Sequence, residues 1–155
     1  QLSFADLAEL LAQTKALNIS ERENAALVIG ADQTMSCEDI LFNKAETLEE
    51  AKEHFYFLCG KTHTLHSAVC VAKGGEIIWS YCDEAHLTMI NFSNEFLGTY
   101  LAAMGEEVLT TVGGYQLENL GGLLFEKIEG DYHTILGLPL LPLITFLRSE
   151  KAVMG

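Results

Sequence analysis

The chain has 155 residues, 49% of them hydrophobic and 20% charged, a balance that suits one folded domain and excludes disordered and fibrous classes. A domain of this length buries roughly two-thirds of the surface its unfolded chain exposes, so its core needs neither disulfides nor a structural metal. Nine basic residues against 22 acidic ones give a net charge of −13, which excludes a broad electrostatic surface for nucleic acid or an anionic membrane.

Residues 2–17 carry Leu7, Leu10, Leu11 and Ala12 at helical spacing behind Ser3 as N-cap, and Lys15 falls in the last turn of the helix they predict. The apolar run 25–29 ends at Gly30, the pattern of a buried strand running into a tight loop that presents Asp32, Gln33 and Thr34. Thr47-Leu-Glu-Glu50 forms a capping box, and a helix over 47–59 closes at Gly60. Residues 64–72 and 76–81 flank Lys73-Gly-Gly75 and predict a hairpin, with a third strand over 85–92. Ser93 caps a helix that presents Phe96, Leu97, Tyr100 and Leu101 and stops at Gly105. After a glycine-rich segment, 123–128 predicts a strand turning at Glu129-Gly-Asp131, and 141–151 predicts a closing helix. Strands alternating with helices, hairpins among them, give an α/β fold on a mixed sheet, organised as a single domain.

Cys37, Cys59, Cys70 and Cys82 form no CxxC pair and have no histidines at zinc spacing, so they read as reduced, mostly buried thiols in a cytoplasmic setting. The apolar stretch 135–147 is broken by Gly137, Pro139 and Pro142 and is too short to span a bilayer. No secretory signal opens the chain, which starts at Gln1 rather than at an initiator methionine.

Several polar residues are candidates for chemistry. Asp32 stands just past an apolar strand, where α/β proteins build ligand sites, and a carboxylate there suits Mg²⁺ shared with substrate phosphates or the orientation of a water. It equally suits an Asx-turn. Lys44 sits in a polar connection, where a lysine is normally just solvated. Lys61 and His63 open a strand and are either aimed at the same site or exposed polar residues of a turn. Tyr115-Gln-Leu-Glu-Asn119 lies between glycine pairs that serve a close backbone approach or ordinary turns. The chain has no P-loop, GxGxxG, GxSxG or HExxH motif, which ranks covalent acyl transfer and zinc hydrolysis low.

Val28-Ile-Gly-Ala-Asp-Gln33, Leu41-Phe-Asn-Lys44, Leu58-Cys-Gly-Lys-Thr-His63, Gly114-Tyr115, Ile128-Glu-Gly-Asp-Tyr132 and Ile135-Leu-Gly-Leu-Pro-Leu140 together resemble, in order and spacing, the Maf family of nucleotide pyrophosphatases. The resemblance implies an elongated, twisted mixed sheet flanked by helices, with a cleft between two lobes. It also implies hydrolysis of a nucleoside triphosphate to monophosphate and pyrophosphate with Mg²⁺ or Mn²⁺, in a family where homodimers are common. By position it assigns catalysis to Asp32, Lys15 and Lys44, with Asp32 holding the metal or activating the water, and substrate binding to Gln33, Lys61, His63 and Glu118. Ala45 replaces the family's proline after the lysine, and Asn119 replaces a usual glycine.

The family's SxSPRR segment and the glutamate after it have no counterpart here, which places the start of this chain partway into the family's domain. Activity is expected only when that upstream segment is present. Members acting on thymidine and uridine triphosphates read GADT and IQG, whereas Gln33 and Glu118 resemble the branch acting on 7-methyl-GTP. An inactive nucleotide-binding or regulatory protein, a thymidine and uridine triphosphate pyrophosphatase, and a packing or interaction domain are the alternatives.

Overall fold

A computed structural model describes residues 2–155. Helix α1 (Phe4–Ser20) is capped by the Ser3 hydroxyl, which accepts from the Asp6 backbone N–H. Strand β1 (Val28–Cys37) follows and pairs antiparallel with β2 (Ile40–Phe42). Helix α2 (Leu48–Leu58) starts at Thr47, whose hydroxyl accepts from the Glu50 N–H. Strands β3 (Thr62–Lys73) and β4 (Glu76–Met89) come next, joined through Gly74 and Gly75, both at positive φ as a two-residue hairpin requires. Helix α3 (Asn94–Met104), capped by Ser93, leads through three short 3₁₀ segments to β5 (Phe125–Glu129), α4 (Tyr132–Leu136) and α5 (Leu140–Ser149).

The five strands form one sheet in the order β2-β1-β3-β4-β5, flanked by helices. It is antiparallel rather than mixed. Besides the β1–β2 and β4–β5 pairings, Gln33 reaches Ser67 while Cys37 reaches the Thr62 carbonyl, so β1 and β3 run in opposite directions.

The chain divides into two compact units. The first holds residues 1–34, 66–84 and 131–155, and the second holds 35–65 and 85–130. In the first unit the strand faces alternate. Val28, Ala68, Cys70 and Ala72 pack with Ala8, Ala12 and Ala16 of α1. Val69 and Val71 pack with Leu143 of α5, alongside Leu27, Trp79 and Phe146. The second unit buries Phe55, Leu58, Leu65, Leu87, Met89, Leu97 and Leu124.

Several sequence expectations change. β1 does not break at Gly30, so Asp32, Gln33 and Thr34 are strand residues rather than loop residues. The glycine has a different purpose: a Cβ there would strike the Ala12 carbonyl and lie 2.8 Å from the Ala16 methyl. Helix α1 runs to Ser20, which puts Lys15 inside it rather than in its last turn. The third strand expected over 85–92 is the continuation of β4. Asp83 and Glu84 do not interrupt it, because the Asp83 carboxylate accepts from the Thr134 hydroxyl and from the Glu84 N–H. β5 starts at Phe125, after a 3₁₀ turn through Leu123 and Leu124. Helix α4 was not anticipated; Asp131 caps it by accepting from the Thr134 N–H, and Gly137 ends it in the left-handed region.

Among the described residues no helix is long and apolar enough to cross a membrane. Gly30→Ala is expected to destabilise the fold by roughly 1–3 kcal/mol through overpacking, read as a lower urea midpoint at unchanged slope.

Candidate active site

The candidate site in the first unit is built by the approach of α1 to β1. Ala8, Ala12 and Ala16 recur every four residues and give the helix a flat, small-residue face, and Gly30 removes the last obstacle on the strand. Asp32 lies two residues beyond Gly30, on the same face of the strand. Lys15 flanks the alanine row, and its Nζ lies 2.9 Å from Asp32 Oδ2.

The second carboxylate oxygen, Oδ1, accepts from the Gln33 backbone N–H at 2.8 Å. Both oxygens are thereby aimed. The Asp32 side chain is 19% exposed and that of Lys15 61%, so the carboxylate is sheltered while the amine stays open to solvent. A partly solvated pair of this kind contributes only about 0–1 kcal/mol to stability.

Gln33 is half-buried on the opposite face. Its amide nitrogen donates to Ser67 Oγ at 2.8 Å and to the carbonyls of Thr134 and Ile135 at 3.2 Å each. Thr34 donates to the Phe4 carbonyl at 2.8 Å and ties β1 to the start of α1.

The remaining candidates belong to the second unit. Lys44 is exposed just after β2, beside the buried Ala45, and makes no ion pair among the described residues. Lys61 is engaged: its Nζ lies 2.8 Å from Glu38 Oε1 and 3.7 Å from the centre of the Phe57 ring. The turn that supplies Glu38 is unusual, with Glu38 and Asp39 both at positive φ.

His63 is fully buried, and its Nε2 shares a 2.7 Å hydrogen bond with the Tyr115 hydroxyl. Its Nδ1 has no hydrogen-bond partner among the described residues. Burial lowers the His63 pKa from 6.5 to about 4 and pushes that of Tyr115 well above its ordinary value. Tyr115 also packs edge-on against Phe125, and its carbonyl accepts from the Thr111 hydroxyl. From this anchor the chain makes a turn in which the N–H groups of Asn119 and Gly121 both donate to the Gln116 carbonyl, and Glu118 stands exposed at its tip.

Gly113 and Gly114 are required by positive φ and by packing, since a Cβ on Gly114 would lie 3.0 Å from the Phe55 ring. Sequence reasoning passed over Ser67, Thr134 and Tyr115 as partners. The Asp131…Thr134 capping spacing was the one available signal for Thr134.

No group of three or more His, Cys, Asp or Glu side chains able to hold a metal occurs among the described residues. The cysteines are all free, and burial raises the pKa of Cys37, Cys70 and Cys82, the last to about 11, so these three are protonated and weakly nucleophilic at neutral pH.

A model of the family described as Maf-like protein matches residues 2–150. The chain belongs to that family. The Maf-like chain is 47% identical over 150 residues to a 7-methyl-GTP pyrophosphatase of Brucella suis, covering 97% of this chain and 75% of the relative. It is 46% identical over 154 residues to a 7-methyl-GTP pyrophosphatase of Mesorhizobium japonicum, covering 99% and 77%. It is 49% identical over 146 residues to a nucleoside triphosphate pyrophosphatase of Paramagnetospirillum magneticum, covering 94% and 75%.

The buried histidine generates a pH prediction for this Maf-like chain. The unfolded chain takes up a proton on His63 near pH 6.5, whereas the folded chain resists until about pH 4. Protons therefore favour unfolding in that window: stability is complete above 6.5 and is lost as pH falls toward 4. The full loss is roughly 3 kcal/mol. Urea denaturation of wild type and His63→Gln should show the wild type losing that much more on acidification; equal losses would mean that the folded ring is already solvated.

Proposed function

We propose that this protein, with the family's upstream segment in place, hydrolyses nucleoside triphosphates between the α- and β-phosphates, releasing a nucleoside monophosphate and pyrophosphate, with 7-methyl-GTP as the preferred substrate. The observation that carries the reading is the Lys15–Asp32 pair: a sheltered carboxylate with both oxygens aimed, beside an amine open to solvent. The names of the relatives support the reaction, and two of the three name the methylated nucleotide.

In this reading water attacks phosphorus in line, the new P–O bond forms as the anhydride bond breaks, and pyrophosphate leaves. Asp32 orients the water and accepts its proton. Lys15 offsets the negative charge that develops on the phosphate oxygens, and the family resemblance assigns Lys44, which makes no ion pair among the described residues, a catalytic role as well. Glu118, exposed on its turn, suits the donor edge and positive charge of a methylated guanine. Lys61 is held by Glu38 and Phe57, and His63 anchors the turn that carries Glu118.

Family resemblance also implies a divalent cation. One carboxylate, with no converging group of ligands among the described residues, fits Mg²⁺ or Mn²⁺ shared with the substrate rather than a resident, protein-caged ion. Asp32 would hold it, and it would neutralise phosphate charge.

The test is pyrophosphate release from 7-methyl-GTP, GTP, UTP and dTTP with Mg²⁺ or Mn²⁺. Asp32→Asn is expected to lower kcat/KM by about 10³-fold and Lys15→Met by about 10²-fold. Melting temperatures should change little, because the pair stabilises the fold weakly. Undiminished turnover in Asp32→Asn would end this reading, and nucleotide binding without pyrophosphate release would make the chain a binding protein. Preference for UTP and dTTP would move it to the other branch.

A further inference from the structure

The turn that carries Glu118 is a closed unit with a buried root. The Gln116 carbonyl accepts from the N–H groups of Asn119 at 3.0 Å and Gly121 at 3.1 Å, which brings the two ends of the turn together. They approach so closely that a Cβ on Gly121 would strike the Gln116 carbonyl. The Gln116 side-chain amide also donates to the Thr110 hydroxyl at 3.3 Å. The tip is open: Glu118, Asn119 and Leu120 are exposed, whereas Gly121 and Leu124 behind them are buried.

Three side chains hold the root. The Tyr100 hydroxyl of α3 donates to the Gly114 carbonyl at 3.2 Å, and the Thr111 hydroxyl donates to the Tyr115 carbonyl at 2.9 Å. The third, His63, ties the root to β3 through the 2.7 Å bond between its Nε2 and the Tyr115 hydroxyl. Packing alone does not call for this bond. A phenylalanine would fill the space of Tyr115 against Phe125 without burying a hydroxyl, and a leucine would remove an imidazole whose Nδ1 has no hydrogen-bond partner among the described residues. What the polar pair adds is direction: it sets the phenol ring, and with it the backbone entering the turn, at one rotation and one depth.

We propose that the Tyr115–His63 hydrogen bond is a specificity device: the two side chains are positioning residues that hold the turn 116–121 preformed, so that Glu118 meets the nucleotide base at a fixed place, and neither side chain touches the nucleotide. The identity of the ligand rests on the pyrophosphatase reading. A turn already in its bound shape loses less conformational freedom on binding, so the benefit falls on the ligand that Glu118 contacts most. A purine with a donor edge and a positive charge gains, and a pyrimidine gains little.

The test uses the full-length protein, upstream segment included. Tyr115→Phe removes the hydroxyl, His63→Leu removes the imidazole, and the double variant removes both, so that neither group is buried without its partner. Amide hydrogen exchange at Asn119 and Gly121 is expected to quicken about tenfold in all three. KM for 7-methyl-GTP should rise about tenfold with kcat within about twofold, whereas KM for UTP and dTTP should stay within about twofold. Urea denaturation separates this role from packing: each single change should lower the midpoint, and the double variant should regain most of the loss while its KM for 7-methyl-GTP stays raised. His63→Gln, whose amide can reach the same hydroxyl, should restore part of the preference that His63→Leu loses.

A double variant that regains its preference for 7-methyl-GTP along with its stability would overturn the proposal. So would losses of equal size for all three nucleotides, or unchanged exchange at Asn119 and Gly121 in Tyr115→Phe. If the wild type releases no pyrophosphate, the pyrophosphatase reading falls, and equilibrium binding of 7-methyl-GTP and UTP to the same variants decides the positioning role; a wild type that binds neither nucleotide overturns it as well.

Discussion

Helix α1 lies directly on strand β1 at Gly30, where no side chain separates the strand from the Ala12 carbonyl and the Ala16 methyl. The aim of Asp32 depends on this contact. A lysine side chain has limited reach, and the 2.9 Å distance between Lys15 Nζ and the carboxylate is available because the helix axis is drawn close by a row of alanines facing a glycine. Thr34 then fixes the first turn of the same helix, so the helix is tied to the strand on both sides of Asp32. Packing of the smallest residues in the first unit thus sets the position of the Lys15–Asp32 pair.

The second unit solves a different problem. Its candidate groups are two lysines, a histidine and a glutamate, and the structure gives them unequal freedom. Lys61 spends its charge on Glu38 and its amine on the face of Phe57, whereas Lys44 is exposed and makes no ion pair among the described residues. His63 lies beneath the surface and holds Tyr115, from which the turn bearing Glu118 projects. A buried neutral imidazole is a stiff support at neutral pH and a liability in acid.

Much of this was legible in the residues. Caps at Ser3, Thr47 and Ser93 locate three helices because a side-chain oxygen satisfies amides that the helix cannot. Lys73-Gly-Gly75 locates the hairpin because its turn demands positive φ. Gly30 misled because a glycine after an apolar run signals a turn by frequency, and its purpose here, making room for α1, is a tertiary fact. The strands expected over 76–81 and 85–92 are one strand, and the Asp83 between them is accommodated by partners that spacing does not show, among them Thr134 some 51 residues away. Charge and residue type marked His63 as a candidate, but burial is invisible to spacing, and its phenolic partner lies 52 residues on. The resemblance nominated the residue positions, and the coordinates distinguish which of them are open and which are already committed.

The alternation of faces along β1 gives that strand a parity. Asp32 belongs to the helix α1 side and Gln33 to the α4 side only because each is counted correctly from Gly30. Deleting a single residue there would present an amide to Lys15, and inserting one would turn the carboxylate toward the carbonyl oxygens of Thr134 and Ile135, which repel it. Chain length between the glycine and the carboxylate is therefore as much a part of the arrangement as the residues themselves.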